Sequence, residues 1–350
     1  MQQPTYDEQV TMKNEIKLRE LCAQLPSFCK EFFRGIEPTT SSRTRIAYAY
    51  DLKIFFHFLQ EKYPDIEDGD LKNWPVSVLD KVTLTQLEEY LDYLRLYEDA
   101  DNKVHTNEER GRTRKTASMR TFYKFFYRKQ AIKNNTASLL NLPKKHEQAI
   151  VRLEIDEIAR LLDSVEEGDS LTKSQKKYHN KTKIRDLAIL TLLLGTGIRV
   201  SECVGLDISN LDFETNGMKI HRKGGAEVVL YFGKEVREAL LDYLEERENL
   251  IPKEGSEDAL FLSMQKRRIS VRAVENLVKK YARPITPLKT ITPHKLRSTY
   301  GTQLYQETGD IYLVADVLGH KDVNTTRKHY AAMEDQRRRL AAGKVQLREK

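Results

Sequence analysis

Cysteine is scarce in this chain, with three among 350 residues, Cys22, Cys29 and Cys203. An odd number, with no CxxC pair and no clustering with histidine, excludes a disulfide framework and a zinc site of ordinary spacing and predicts reduced structural thiols. Long apolar runs are missing as well. The longest stretch without a central charge, residues 187–198, is about twelve residues, short of the ~20 needed to cross a bilayer, so no membrane partner is expected. Residues 1–20 mix acids with bases and lack the apolar segment of a secretory signal, which predicts a cytoplasmic chain. Neither GxGxxG nor GxxxxGK[ST] occurs, so the two glycine-rich phosphate loops are absent.

Charge, by contrast, is plentiful. Lys and Arg number 59 against 52 Asp and Glu, a net charge of +7, and apolar residues at 39% are enough for packed cores. The length predicts two domains, and the basic balance favours a polyanionic partner. Residues 110–129 hold eight bases and no acid, interleaved with Phe122, Tyr123, Phe125, Phe126 and Tyr127. A helix there has an apolar face for a core and a basic face, with Arg112, Arg114, Lys115, Arg120 and Lys124, for phosphates. The alternative is an ordinary solvated cationic helix.

Residues 39–62 predict an amphipathic helix with N-cap candidates Ser41 and Ser42 and an apolar stripe of Ala47, Tyr50, Ile54, Phe55, Phe58 and Leu59. Arg43, Arg45 and Lys53 fall outside that stripe, the first two as further DNA-binding candidates. A second helix is predicted over 83–97, followed by a mobile polar connection at 99–109. The Pro143 region, LPKKHEQA, reads as an interdomain linker. The expected organisation is a helical domain over 1–142, a linker at 143–150, a second domain over 151–333 and a charged tail at 334–350. In the second domain a buried central helix is predicted over 184–194. A hairpin over 218–232 turns at Gly224-Gly225 beside Lys223, and helices follow at 234–249, 271–281, 293–307 and 311–318. The fold class is mainly α with a small antiparallel β-sheet, which excludes a doubly wound nucleotide fold.

Thr292-Pro293 supplies a helix start that puts His294 and Arg297 on one face near free backbone N–H groups. Such a site suits an anionic phosphate, although a capped helix with surface charges has the same sequence. The segment GTGIRVSE, 195–202, follows the buried helix, so a glycine turn aims Arg199 outward, where it meets an anion or pairs only with Glu202. Lys223 on a hairpin turn is either a groove contact or a solvated lysine. His320 follows the helix-ending Leu318-Gly319, and Tyr330 closes the run TTRKHY.

The order Arg199, Lys223, His294-x-x-Arg297, Leu318-Gly319-His320, Tyr330 resembles the tyrosine recombinase (phage integrase) family over about 151–330. The stretch TRIAYAYDLKIFFHFL extends the resemblance more loosely to the first domain. It implies a helical core-binding (SAM-like) domain followed by the family's catalytic domain. By the family pattern Tyr330 attacks a scissile DNA phosphate to form a 3′-phosphotyrosyl link while Arg199 and Arg297 clamp the nonbridging oxygens. Lys223 would protonate the leaving 5′-oxygen, His294 would handle the tyrosine proton, His320 would hydrogen-bond the phosphate and Glu202 would support Arg199. The scheme requires no cofactor, neither ATP nor a divalent metal. Its implied partners are double-stranded DNA with inverted half-sites and a homo-tetramer on two DNA sites, with 334–350 either docking on a neighbouring protomer or fraying. Two stretches depart from the pattern: a basic insertion at 171–183 and the lengthened connection at 99–109, each a DNA contact or a surface loop. The segment LCAQLPSFCKEFFRGIEPTTSSRTR is similar to single-protein Xer recombinases, which implies chromosome dimer resolution. An integrase of a mobile element, a type IB topoisomerase and a non-catalytic DNA-binding regulator remain as alternatives.

Overall fold

The computed structural model describes residues 5–99, 103–141, 151–222, 226–320 and 323. The linker at 143–150, Lys223, the Gly224-Gly225 turn, Tyr330 and the tail at 334–350 lie outside the described residues. The chain divides into two compact units, Met1–Glu147 and Gln148–Lys350.

The first unit is built from α1 (Tyr6–Cys22), α2 (Cys29–Ile36), α3 (Ser42–Lys62), α4 (Val78–Lys81), α5 (Leu84–Tyr93), a hairpin of β1 (Leu96–Glu98) with β2 (Val104–Thr106), and α6 (Glu109–Arg128). The Ser41 hydroxyl accepts from the Thr44 N–H and starts α3, and a Thr83/Gln86 capping box starts α5. An aromatic core joins α2, α3, α5 and α6. Phe32 meets Phe122 edge to face at 5.0 Å, and Phe55 meets Tyr90 at 5.2 Å, the offset geometry that ring quadrupoles favour.

Several expectations need correction here. The stripe on α3 is wider than the one predicted: Phe55, Phe58 and Leu59 are buried, but so are Ala49, Leu52 and Phe56, while Tyr50 is exposed. The cause is that α3 packs against both α1 and α6. Arg45 is not outside the stripe. It is buried, and its guanidinium pairs with Glu15 of α1 and, at 3.4 Å, with Glu37. Lys115 is likewise turned inward to Asp51, with its Nζ 3.3 Å from Oδ1, and the same carboxylate accepts both terminal nitrogens of Arg114 at 2.5 and 2.7 Å. Arg45 and Lys115 therefore present no charge at the surface, whereas Arg43, Arg114 and Lys124 are exposed and Arg112 and Arg120 partly so. The helix predicted to Tyr97 stops at Tyr93, where the Asn107 side chain donates to the Leu94 carbonyl at 2.8 Å. Residues 104–106 of the expected mobile connection are a strand, and Tyr97 stacks on His105 across the hairpin.

The second unit contains α7 (Ile155–Glu167), α8 (Lys173–His179), α9 (Lys183–Thr196), α10 (Val200–Gly205), a three-stranded antiparallel sheet of β3 (Leu211–Asp212), β4 (Gly217–His221) and β5 (Glu227–Tyr231), then α11 (Lys234–Glu248), α12 (Val271–Ile285), α13 (Pro293–Thr308) and α14 (Ile311–Leu318). Every residue of α9 from Ala188 to Leu194 is buried, because α7, α11 and α13 surround it. Its first turn holds the buried Asp186 carboxylate, which accepts from Thr182, Arg185, Lys280 and Tyr281, so the charge is compensated on every side. The predicted hairpin pairs Met218 with Leu230 and Ile220 with Val228, and β3 adds a strand that was not anticipated. Within residues 171–183, expected to be a basic insertion, lies the helix α8, capped by Thr172 and Gln175. It is fastened to α7 by buried His179, whose Nε2 lies 2.7 Å from the Val165 carbonyl oxygen. No described helix is long and apolar enough to cross a membrane. The architecture is mainly helical with small antiparallel sheets, as expected.

Candidate active site

The site begins where α9 must stop. Gly197 takes a left-handed conformation, φ 61°, and its N–H donates to Leu193 at 3.2 Å. A Cβ here would press on the Tyr300 ring and lie 3.0 Å from Leu318 Cδ2, so glycine is required by both conformation and space. The chain then buries Ile198 as an anchor and releases Arg199 at the head of α10. Glu202, nearly buried, accepts the Arg199 backbone N–H at 2.9 Å and its Nη1 at 2.7 Å, and Arg199 Nη2 donates to the Gly319 carbonyl at 3.1 Å.

Arg297 arrives from α13. Thr292 caps that helix and Pro293 opens it, so Arg297 projects from an early turn into the unit. It is buried, donates Nη1 to the Gly197 carbonyl at 2.6 Å and donates Nη2 to the Leu318 carbonyl. His294, three residues earlier on the same helix, is exposed. The helix α14 ends at Gly319, φ 61°, and half-buried His320 follows with its N–H on the Ala315 carbonyl at 2.9 Å.

A third guanidinium reaches the same place. Arg222, just past β4, donates Nη1 to the Asp316 carbonyl at 3.1 Å and Nη2 to Val317 at 2.6 Å. Four successive carbonyls, 316 to 319, therefore accept from three arginines. These are the groups a helix leaves unsatisfied at its C-terminus, where the macrodipole places partial negative charge. The result is a dense cluster of three guanidinium groups held on one helix end. Burial lowers the Arg222 pKa, and nearby Glu202 opposes that shift.

The structure thus gathers Arg199, Glu202, Arg297 and His320, and sets His294 on the exposed face of the helix that carries Arg297. Arg222 was not anticipated from sequence, since nothing local separates it from any basic residue beside a hairpin turn. Chemically, two forked donors beside an imidazole can hold the nonbridging oxygens of a phosphodiester and stabilise charge that grows on them. Among the described residues no cluster of His, Cys, Asp and Glu is arranged to hold a metal ion.

Comparisons with known proteins bear on this arrangement. The phage integrase family model matches residues 152–337. The tyrosine recombinase XerC of Caldanaerobacter subterraneus subsp. tengcongensis is 32% identical over 349 residues, covering 95% of this chain and 91% of that protein. The tyrosine recombinase XerD of Oceanobacillus iheyensis is 30% identical over 298 residues, covering 79% and 92%. Among solved structures, a XerH site-specific recombinase bound to palindromic difH substrate has a TM-score of 0.66 at 18% identity, covering 94% of this chain and 89% of that one. A lambda integrase dimer bound to a core site has a TM-score of 0.58 at 16% identity, covering 85% and 96%. With the family model spanning more than half of the chain and a relative at this identity matching nearly all of it, the chain belongs to the phage integrase family, the tyrosine recombinases that cut and rejoin DNA strands.

Proposed function

We propose that this enzyme is a site-specific recombinase of the Xer type that resolves chromosome dimers, using Tyr330 as the nucleophile. In this reading the Tyr330 oxygen attacks the scissile phosphorus and the bond to the 5′-oxygen breaks. His294 takes the phenolic proton, and Lys223 supplies one to the leaving oxygen. Arg199 and Arg297 bind the nonbridging oxygens, whose charge is greatest in the transition state, and His320 adds a hydrogen bond. Phosphoester energy stays in the 3′-phosphotyrosyl link until the 5′-hydroxyl of a partner strand attacks it.

The observation that carries this reading is the convergence of Arg199 and Arg297 on adjacent carbonyls immediately before His320. Similarity to XerC and XerD proteins over most of the chain supports the Xer assignment. The palindromic substrate of the structurally similar XerH supports inverted half-sites. Exposed Arg43, Arg114 and Lys124, with Arg112 and Arg120, are proposed as phosphate contacts of the first domain, the 334–350 tail as a protomer contact, and four protomers on two duplexes as the working assembly.

Covalent capture distinguishes the readings. Wild type and Tyr330→Phe are each incubated with genomic DNA of the source organism and denatured, and DNA still attached to protein is sequenced. A Tyr330-dependent adduct at one pair of inverted half-sites near the replication terminus is expected. Adducts at the ends of a mobile element would replace dimer resolution with integration. Scattered adducts would indicate a topoisomerase-like activity, and none at all would refute the nucleophile.

A further inference from the structure

Arg222 has a geometry that neither phosphate-clamping arginine shares. Both of its terminal nitrogens are spent on carbonyls of one helix, Asp316 and Val317, and its buried Nε has no hydrogen-bond partner. Its backbone is equally fixed, because its N–H donates to Ala226 at 2.8 Å and closes the ladder that pairs His221 with Glu227. Arg222 therefore bolts the end of the sheet to the end of α14. The guanidinium lies across the bare Cα of Gly319, where an added Cβ would sit 2.8 Å from Nε. Arg199 and Arg297 are different. Each divides its donors between the α14 end and another group, Glu202 for one and the Gly197 carbonyl for the other. Arg199 Nη2 and Arg297 Nη2 are the donors on the helix end, so turning either of them to a DNA phosphate withdraws it from that end, and the residue next to that end is His320.

We propose that Arg222 is a positioning residue of the cleavage reaction, holding the C-terminal end of α14, and with it His320, in place while Arg199 and Arg297 engage the phosphate. In this arrangement both Arg222 terminal nitrogens stay on the α14 carbonyls during cleavage, and the forked geometry is what allows one side chain to bind two successive carbonyls. The proposal rests on the reading of His320 as a phosphate contact. Misplacing such a group by about an ångström costs up to about a hundredfold in rate.

The experiment uses the full chain and a nicked half-site duplex that traps the covalent adduct. Arg222→Lys keeps the charge and loses the fork. It is expected to melt near the wild-type temperature, to bind DNA within about twofold of wild type and to cleave about ten- to a hundredfold more slowly. In a His320→Ala background the same substitution should cost less than about twofold, because coupled residues do not add. In the free protein, the His320 ring resonance, assigned by its loss in His320→Ala, should move on Arg222→Lys while that of buried His179 stays. A loss that multiplies in full in the His320→Ala background, or an unmoved His320 resonance, overturns the proposal. If His320→Ala alone cleaves at the wild-type rate, the reading of His320 falls separately, and the resonance still decides whether Arg222 holds the ring. Should Arg222→Lys fail to fold, Arg222→Gln is put through the same measurements.

Discussion

Arg297 and Gly197 are one hundred residues apart in sequence and joined by one hydrogen bond, from the arginine Nη1 to the glycine carbonyl oxygen at 2.6 Å. The bond ties the end of the central helix α9 to the early turns of α13, and the other Nη of the same guanidinium holds α14. One side chain thus registers three helices at the point where the chemistry is proposed to occur. Gly197 supplies the acceptor only because its left-handed conformation turns the chain out of α9 there.

Gly197→Ala should disturb that junction in two ways. A residue with a Cβ at φ 61° is strained, and the methyl group would collide with the Tyr300 ring and crowd Leu318. Urea unfolding is expected to show a loss of about 1–3 kcal/mol, and cleavage should slow because the Arg297 acceptor shifts. A variant as stable and as active as wild type would show that the junction tolerates the movement.

Arg199→Ala removes one forked donor from the proposed phosphate clamp and takes from buried Glu202 its ion pair, leaving the backbone N–H of residue 199 on the carboxylate. The cleavage rate should fall by about a hundred- to a thousandfold, with DNA affinity far less affected, since the first domain retains its own basic surface. Glu202→Gln keeps the shape but only one weaker acceptor for the guanidinium, so its loss should be smaller. Single-turnover cleavage of a trapped substrate checks both, and a drop of less than tenfold in Arg199→Ala would remove this residue from the clamp.

The parts of the fold legible in the sequence are those decided within a turn or two of the chain. The Thr292-Pro293 start of α13, the Gly197 and Gly319 helix ends and the β4–β5 pairing depend on neighbours a few residues away, and each is found where residue type and spacing put it. The failures share the opposite cause. Arg45 finds its carboxylate 30 residues away, Lys115 finds Asp51 at 64 and Arg222 finds the Val317 carbonyl at 95. No local pattern encodes such partners, so a buried arginine and a solvated one read alike. The widened face of α3 has the same origin, because a helix between two neighbours buries more than one stripe.

Asp51 is the structural counterpart of this lesson in the first unit. It is buried and compensates Arg114 and Lys115, and Lys115 is itself buried. Asp51→Ala is expected to destabilise that unit by about 3 kcal/mol, since it strands a cation in the aromatic core's margin. Adding Lys115→Met should recover much of the loss. Denaturant titration of the two variants checks this, and no recovery in the double variant would mean that Asp51 acts chiefly through Arg114.

The three thiols give a way to watch the two units separately. Cys22, Cys29 and Cys203 are free and buried. Burial pushes Cys22 up to about 11 and Cys203 up to about 12, and Cys29 well above its ordinary value. Iodoacetamide attacks thiolates, so at pH 8 none of the three should react in the folded chain, and labelling of each should follow the opening of its own unit. Because the folded pKa of Cys203 is raised, its contribution to stability is complete below the ordinary value near 9.0 and is lost as pH rises from there toward about 12. Cys203→Ala should therefore flatten the decline in stability of the second unit above about pH 9. Cys203 follows Glu202 directly in α10, so Gly197→Ala, which strains the entry to that helix, should accelerate Cys203 labelling while leaving Cys22 and Cys29 unchanged. Equal acceleration at all three positions would mean that the strain is shared across both units rather than confined to the site.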